Sequence, residues 1–332
     1  MSSLLHRAFT PDAPGPPMPP GPRANDWRRA GAIPTSEPSD EATLLDELWC
    51  ARGFHRDATG QRTSVPRRMV PSAGGTYAVQ WHVLVPPGTG SALPPGRWTR
   101  EESGTLLRRP GPPPAGACVS LVLTVQPGRS FGRYRHRAWP LWVADSAYAL
   151  EGVRALVPAA RLPPSWSLMV DVREVLAVPP AAEAHWWLDR GLVPELCLAR
   201  IELPDRWRVD DPTVRALRTR RSPSLEAFAR AAARRPAHQP PPAATRDVAE
   251  QSGQAWVLGA TGVESWPRPR VPTGAAAYDE SWRAHRRAAE LSYQLAATGV
   301  PSRPVSGFTR PPGPRGRPLL HGLALLDPKD VP

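Results

Sequence analysis

The sequence predicts an α+β fold built as two unequal units, and three observations carry that prediction. Tyr77, Val79, Trp81, Val83 and Val85 alternate with their neighbours at the two-residue period of a strand, and 119–125 is a second apolar run of strand length. Residues 141–156 are apolar nearly all round, with Glu151 and Arg154 the only charges after Asp145, which fits a helix buried in a core or an interface. Far downstream, Ala284, Ala288, Leu291 and Leu295 recur at helical spacing, with Gly299 as the stop.

Taken in order, residues 1–38 are Pro- and Gly-rich and polar, and are expected to form a flexible arm that buries too little to offset its ordering entropy. Ser39 is a candidate N-cap for a helix carrying Leu44, Leu45 and Leu48 and ending near Gly53. A loop with Arg62, Arg67 and Arg68 leads to Pro71-Ser72-Ala73-Gly74-Gly75 and the first long strand. A third strand at 196–201 closes a unit spanning 39–205. Asp211-Pro212, an N-cap followed by Pro at the first helical position, marks a shorter unit over 206–332. In it a basic run (Arg218, Arg220, Arg221) precedes Ser222-Pro223 and a helix through Phe228. The span 232–250 is expected to lack order, and 255–258 is expected to be a strand.

Composition excludes several classes. Net charge is +12 and pI is about 10.9, a balance that ordinarily points to nucleic acid. Yet Lys329 is the single Lys, leaving 41 of 42 basic residues as Arg, and these are scattered rather than striped, so no nucleic-acid partner is expected. The three Cys (Cys50, Cys118, Cys197) form no CxxC and no Cys/His cluster, which predicts free thiols, no metal and a reducing, cytoplasmic setting. No stretch approaches a membrane span, and the N-terminus has no apolar signal region. The eight His show no ligand spacing, and His82, alternating with apolar residues, is expected to be structural. Hydrolase chemistry finds no Ser-His-Asp order or paired carboxylates.

Arg68-x-x-Pro71-Ser72-Ala73-Gly74-Gly75-x-Tyr77, running directly into a strand, resembles the flavin-contacting motif of SagB-type dehydrogenases of the nitroreductase superfamily. Arg133-Tyr134-x-x-Arg137-Ala138 and the apolar helix after it resemble that family's Lys-Tyr-Gly-x-Arg segment and core helix. Glu174-Val175-Leu176 and Pro194-Glu195-Leu196 resemble its closing strand region. In the second unit, Arg220-Arg221-Ser222 resembles the family's opening Arg-Arg-Ser, and Pro304-Val305-Ser306-Gly307-Phe308 its Gly-Phe loop. The resemblance implies a nitroreductase-like fold in two fused unequal copies, a tandem, degenerate member forming an intramolecular pseudo-dimer, with FMN as cofactor.

A flavin site needs an anchor for phosphate, backbone close to the ring and tuned charge at the ring nitrogens. By the resemblance, Ser72, Ala73, Gly74 and Gly75 supply the backbone, and small residues there let it approach a flat ring. Arg220, Arg221 and Ser222, with Arg315 or Arg317, supply the phosphate anchor, for which a planar, bidentate guanidinium is suited. The plainer alternatives are a turn into a strand and a solvated charge run. Arg133 and Tyr134 take the place of the pair implicated in catalysis by azoline-oxidising members. Arg is no base near neutral pH, so Tyr134 would carry any proton transfer, or else be a packed aromatic. The implied function is an FMN-dependent oxidoreductase, dehydrogenating azolines in a ribosomally made precursor peptide. The alternative is a non-catalytic partner or scaffold that binds a peptide or another maturation enzyme.

Overall fold

The computed structural model describes residues 7–16, 18–19, 21–23, 27–56, 61–101, 103–164, 172–179, 181, 183–219, 223–269, 275–314 and 316–330. Its helices are α1 (Asp40–Trp49), α2 (Pro127–Tyr134), α3 (Ala138–Leu156), α4 (Val172–Leu176), α5 (Ala184–Leu188), α6 (Asp211–Thr219), α7 (Leu225–Arg234), α8 (Ala243–Ser252) and α9 (Ala275–Ala297). Its strands are β1 (Ile33–Thr35), β2 (Phe54–Arg56), β3 (Arg62–Pro66), β4 (Val79–Val85), β5 (Gly96–Arg100), β6 (Leu106–Arg109), β7 (Ser120–Val125), β8 (Leu196–Glu202), β9 (Gly262–Pro267), β10 (Ser302–Val305) and β11 (Leu319–Leu325).

Residues 33–202 carry a six-stranded antiparallel sheet in the order β1-β6-β5-β4-β7-β8. The alternation seen in the sequence sets its faces. Trp81, Val83 and Val85 of β4, with Leu121 and Leu123 of β7, point to a core shared with Leu44, Leu45 and Leu48 of α1 and Val143, Ala147, Leu150 and Val153 of α3. Both faces are covered, although period-two patterning by itself specifies only one. Leu84 and Val122 meet a second core made by Trp27, Ala30, Ala32 and α4, and Trp27 stacks on His82 with ring centroids 5.4 Å apart.

That second core corrects the expectation for the N-terminal segment. Trp27 is buried and β1 pairs with β6, because the even-numbered face of the sheet needs an apolar cover. The described residues ahead of it lie along α2: the Met18 amide donates to the Gly132 carbonyl at 2.7 Å and the Gly21 amide to that of Gly128 at 3.1 Å. Arg135 and Arg137 reach back to the carbonyls of Pro16 and Asp12. Glu174-Val175-Leu176 also departs from its expected strand. It lies in α4, where Val172 and Leu176, one helical turn apart, both enter the second core.

Downstream, a three-stranded antiparallel sheet, β10-β11-β9, lies over a core of Phe228, Val248, Val257, Val305, Phe308 and Leu319. Two expectations change here. Residues 232–250 carry the end of α7 and most of α8, and 255–258 forms a 3-10 turn (Ala255–Gly259) rather than a strand. A short apolar run has no decisive period, and here Trp256 packs on Phe228 while Gly259 sits so close to the Phe228 carbonyl that no β-carbon would fit.

Helix α9 packs along α3, and its Trp282, Ala289 and Tyr293, with Val214 and Leu217 of α6, belong to the same core as α3 and β4. The Tyr293 hydroxyl donates to the Tyr148 carbonyl at 2.8 Å, and Arg286 Nε donates to the buried Glu151 carboxylate at 2.7 Å. Arg154 adds ion pairs to Glu151 at 2.6 Å and to Glu290 at 2.8 Å. The buried side of α9 is Ser281, Trp282, His285, Ala288, Ala289, Ser292 and Tyr293, rotated from the stripe through Leu291 and Leu295 that the apolar spacing suggests. Helix α9 ends two residues before Gly299, which takes the expected left-handed conformation at φ 74°.

Candidate functional site

Six of the sequence-predicted residues converge in the first unit. Ser72 to Gly75 form a tight turn entering β4, in which Gly74 and Gly75 have φ of 59° and 66°. That backbone is left-handed, which glycine adopts without strain. Arg133 and Tyr134, at the end of α2, close over the turn. Arg133 Nη1 donates to the Gly74 carbonyl at 2.9 Å, and the Tyr134 hydroxyl occupies the space a β-carbon on Gly74 would take. The equivalent space at Gly75 is filled by Val65. Both glycines are therefore needed by the chain's own packing, a reason the sequence alone did not supply.

Beneath the turn lies a residue that sequence reasoning passed over. Asp145, on α3 and 3% exposed, accepts from the Ala73 amide at 2.9 Å and from the Ser72 hydroxyl. The Ser72 oxygen in turn accepts from the Tyr77 amide at 2.9 Å. Burial pushes the Asp145 carboxyl up to about 7, against the pull of its two hydrogen bonds. The one signal in the sequence was a lone acid inside an apolar helix, and such an acid is expected to have partners.

Cations flank the turn on its other side. The Arg68 guanidinium lies between the rings of Trp49 and Tyr77, 3.7 and 4.1 Å from their centroids, and Arg23 donates to the Tyr77 carbonyl at 3.3 Å. Tyr77 itself has a φ of 46°, unusual for a side chain of its size, and its hydroxyl donates to the Pro66 carbonyl. Tyr134 is half-buried, and burial raises its pKa, so the phenol keeps its proton at neutrality and acts as a donor. Arg133 is exposed.

Arg220, Arg221, Ser222 and Arg315 lie outside the described residues. Arg317 is exposed before β11, and its carbonyl accepts from Gln251 of α8. A cleft of about 560 Å³ opens elsewhere, between the start of α1 and the end of β8, bordered by Asp40, Ser91, Cys118, Asp205 and Trp207. None of the predicted residues that are described borders it.

The seam between the units holds a second polar cluster that spacing did not reveal. His285 of α9 and His321 of β11 lie with ring centroids 4.8 Å apart, and His321 Nε2 is 3.1 Å from the Tyr148 hydroxyl. Burial lowers both imidazole pKa values, that of His321 to about 3. His82 behaves as expected for a structural histidine: it is buried, 3.1 Å from the Thr124 hydroxyl, and lowered to about 3 by burial. All three cysteines are free thiols. Among the described residues no group of three or more His, Cys, Asp or Glu could hold a metal ion, and no helix is long and apolar enough to cross a membrane.

Neither a protein family nor a curated protein matches the chain by sequence. The chain is similar in structure to a protein from Anabaena variabilis, assigned provisionally as a nitroreductase. The TM-score is 0.64 and the identity 12%, with 98% of this chain and 99% of that one covered. At that identity the likeness establishes the fold, a nitroreductase-type α+β fold over nearly the whole chain, and the chemistry has to be argued from the site.

Proposed function

We propose that the chain is an FMN-dependent oxidoreductase whose flavin sits against the 72–75 turn. The observation that carries this reading is the meeting, on a nitroreductase-type fold, of that turn with Arg133 and Tyr134 from a segment some sixty residues away. The fit is partial and specific. The face of Gly74 that lacks a β-carbon is filled by the Tyr134 phenol, so at that point a ring would meet Tyr134 rather than bare backbone. The Arg133 guanidinium, exposed and fixed to the Gly74 carbonyl, supplies permanent positive charge beside it. When bound, flavin supplies two-electron chemistry that the side chains lack. Tyr134 holds its proton and orients by donating it, and Arg133 favours an electron-rich partner at the turn.

In this reading the units form a pseudo-dimer about the seam of α3 and α9, and Arg220, Arg221 and Ser222, with Arg315 or Arg317, anchor the phosphate from the second unit. The substrate class is an azoline in a precursor peptide, from which two electrons and two protons are removed to form the azole. Bound flavin would supply the acceptor for that electron pair, with oxygen or a nicotinamide as the final acceptor.

A second reading is a non-catalytic partner of the same fold that binds a peptide or a maturation enzyme. Occupation of the Gly74 and Gly75 spaces by Tyr134 and Val65 favours it, because it leaves no open cradle there. The spectrum of the purified protein separates the two. A flavin absorbance band, or its appearance on adding FMN, supports the oxidoreductase. A colourless protein that takes up no added FMN overturns it and leaves the binding partner.

A further inference from the structure

Asp145 ties together both ends of the turn. Its Oδ1 holds the Ala73 amide at the start, and its Oδ2 holds the Ser72 hydroxyl, whose oxygen receives the Tyr77 amide at the end. Ser72 is therefore a bridge that donates to the carboxylate and accepts from the backbone. An ionised carboxylate accepts from both groups at once, whereas a protonated one keeps the Ala73 amide and must reverse its bond with Ser72, donating to an oxygen that already accepts from Tyr77 and leaving the Ser72 hydroxyl proton without the carboxylate. The turn is thus best fastened when Asp145 is charged, while burial favours the uncharged form.

We propose that Asp145 is a positioning residue whose charge state sets the shape of the 72–75 turn, and through it the affinity for a flavin at that turn. The second half of the proposal rests on the flavin reading, and the first half does not. Charged, Asp145 fastens Ser72, Ala73 and Tyr77, and the Gly74 carbonyl stays in register with Arg133. Protonated, it reverses its bond with Ser72, which weakens the charge-assisted hold on Ala73 and leaves Tyr77 sharing the Ser72 oxygen with a second donor. Because burial brings this carboxyl to about 7, the fastening changes over the range in which a neutral-pH enzyme works.

The groups facing Asp145 do not supply a competing transition. Tyr77 and Tyr134 feel its charge, and both titrate above the ordinary tyrosine value through burial. Arg68 and Arg67 stand behind Tyr77 and Arg133 behind Tyr134, all cationic throughout. From α9, Arg286 bonds Glu151, His285 meets His321, which reaches Tyr148, and Tyr278, raised by burial, meets Trp139 at the start of α3, while Asp210, just before α6, bonds Leu156 at its end. On α1, Asp46 and Glu47 pair with Arg52. Glu195, also raised to about 7 by burial, contacts Gln126 at the opposite end of α2 and serves as the control.

The test follows the backbone amide resonances of Ala73 and Tyr77 between about pH 5.5 and 8.5, in the full chain and in D145N, S72A and E195Q. In parallel, FMN is titrated into each protein. Both amides are expected to shift with one midpoint near 7 in the unaltered chain and in E195Q. D145N is expected to abolish both shifts, because Asn keeps the shape and loses the titration. S72A is expected to silence Tyr77 and leave Ala73 responding, a split that loss of packing would not produce, and it stands in if D145N does not fold. FMN affinity is expected to rise roughly five-fold or more from the acidic to the alkaline end, and to be flat in D145N. An Ala73 amide that does not titrate, or one that still titrates in D145N, overturns the proposal. FMN binding that ignores pH while Ala73 titrates overturns its ligand half. If the unaltered chain binds no FMN, the flavin reading falls, and the amide shifts alone decide whether Asp145 governs the turn.

Discussion

The hydroxyl of Tyr134 lies where a β-carbon on Gly74 would have to be, so the two positions, sixty residues apart, are sterically one feature. Gly74→Ala is expected to destabilise the protein by about 1–3 kcal/mol, through the clash and through the left-handed backbone at that residue. Adding Tyr134→Ala removes the clash and leaves the backbone term. Denaturant unfolding of both single variants and the double variant measures the coupling; strictly additive effects would refute it.

The same pair bears on cofactor binding. Under the proposed function, Arg221→Ala is expected to weaken FMN binding by roughly 2–5 kcal/mol, the usual cost of removing a charged anchor from a buried contact. Gly74→Val is expected to abolish binding by forcing a branched side chain into the turn. Titration of FMN into each variant checks both, and unchanged affinity in the two would rule out a shared site.

At the seam, Glu151 is almost fully buried and bonded to Arg286, whose side chain is 17% exposed, while Arg154 is 37% exposed. Arg286→Ala leaves the buried Glu151 carboxylate only the more exposed Arg154 and is expected to cost on the order of 2–3 kcal/mol, below the usual loss when a buried pair is broken outright. Arg154→Ala leaves Glu151 its better-shielded partner and is expected to cost under about 1 kcal/mol. Equal losses in urea unfolding would contradict this ranking.

Burial of Glu195 gives a pH dependence of definite sign. Its folded value, about 7, lies above the ordinary 4.5, so the folded protein favours the protonated form. The cost is absent below the ordinary value, grows as pH rises towards 7, and is constant above it. Glu195→Gln is expected to raise stability above pH 7, by on the order of 2–3 kcal/mol at most, and to have little effect near the ordinary glutamate value. The buried histidines act in the opposite sense, since His82 and His321 are depressed and oppose folding increasingly as pH falls below their ordinary 6.5. Comparing melting temperatures of variant and unaltered chain across pH cancels that background, and a pH-independent difference would show that Glu195 titrates alike in the folded and unfolded chain.

Trp27 carries the cover of the sheet's second face. Trp27→Ala is expected to cost about 3–5 kcal/mol, as for other buried large-to-small changes, and to expose the His82 side of β4. A loss under about 1 kcal/mol in thermal or denaturant unfolding would mean that the N-terminal segment adds nothing to the fold.

The sequence by itself determined the elements whose period is long or unambiguous. The β4 alternation, the apolar run of β7, the all-round apolar α3 and the Gly299 stop were legible because each is a local consequence of backbone geometry. It also singled out the 72–75 turn and Arg133-Tyr134, though it offered a bound ring as the reason for Gly74, where the structure has Tyr134. Tertiary structure decided the rest. Whether 255–258 is a strand or a turn depends on Phe228, which face of α9 is buried depends on α3, and whether residues 27–32 are ordered depends on an uncovered sheet face. Asp145, His285 and His321 stayed unreadable for the same physical reason. A lone polar residue in an apolar segment takes its role from whatever packs against it, and its partners here lie tens of residues or more away in the chain.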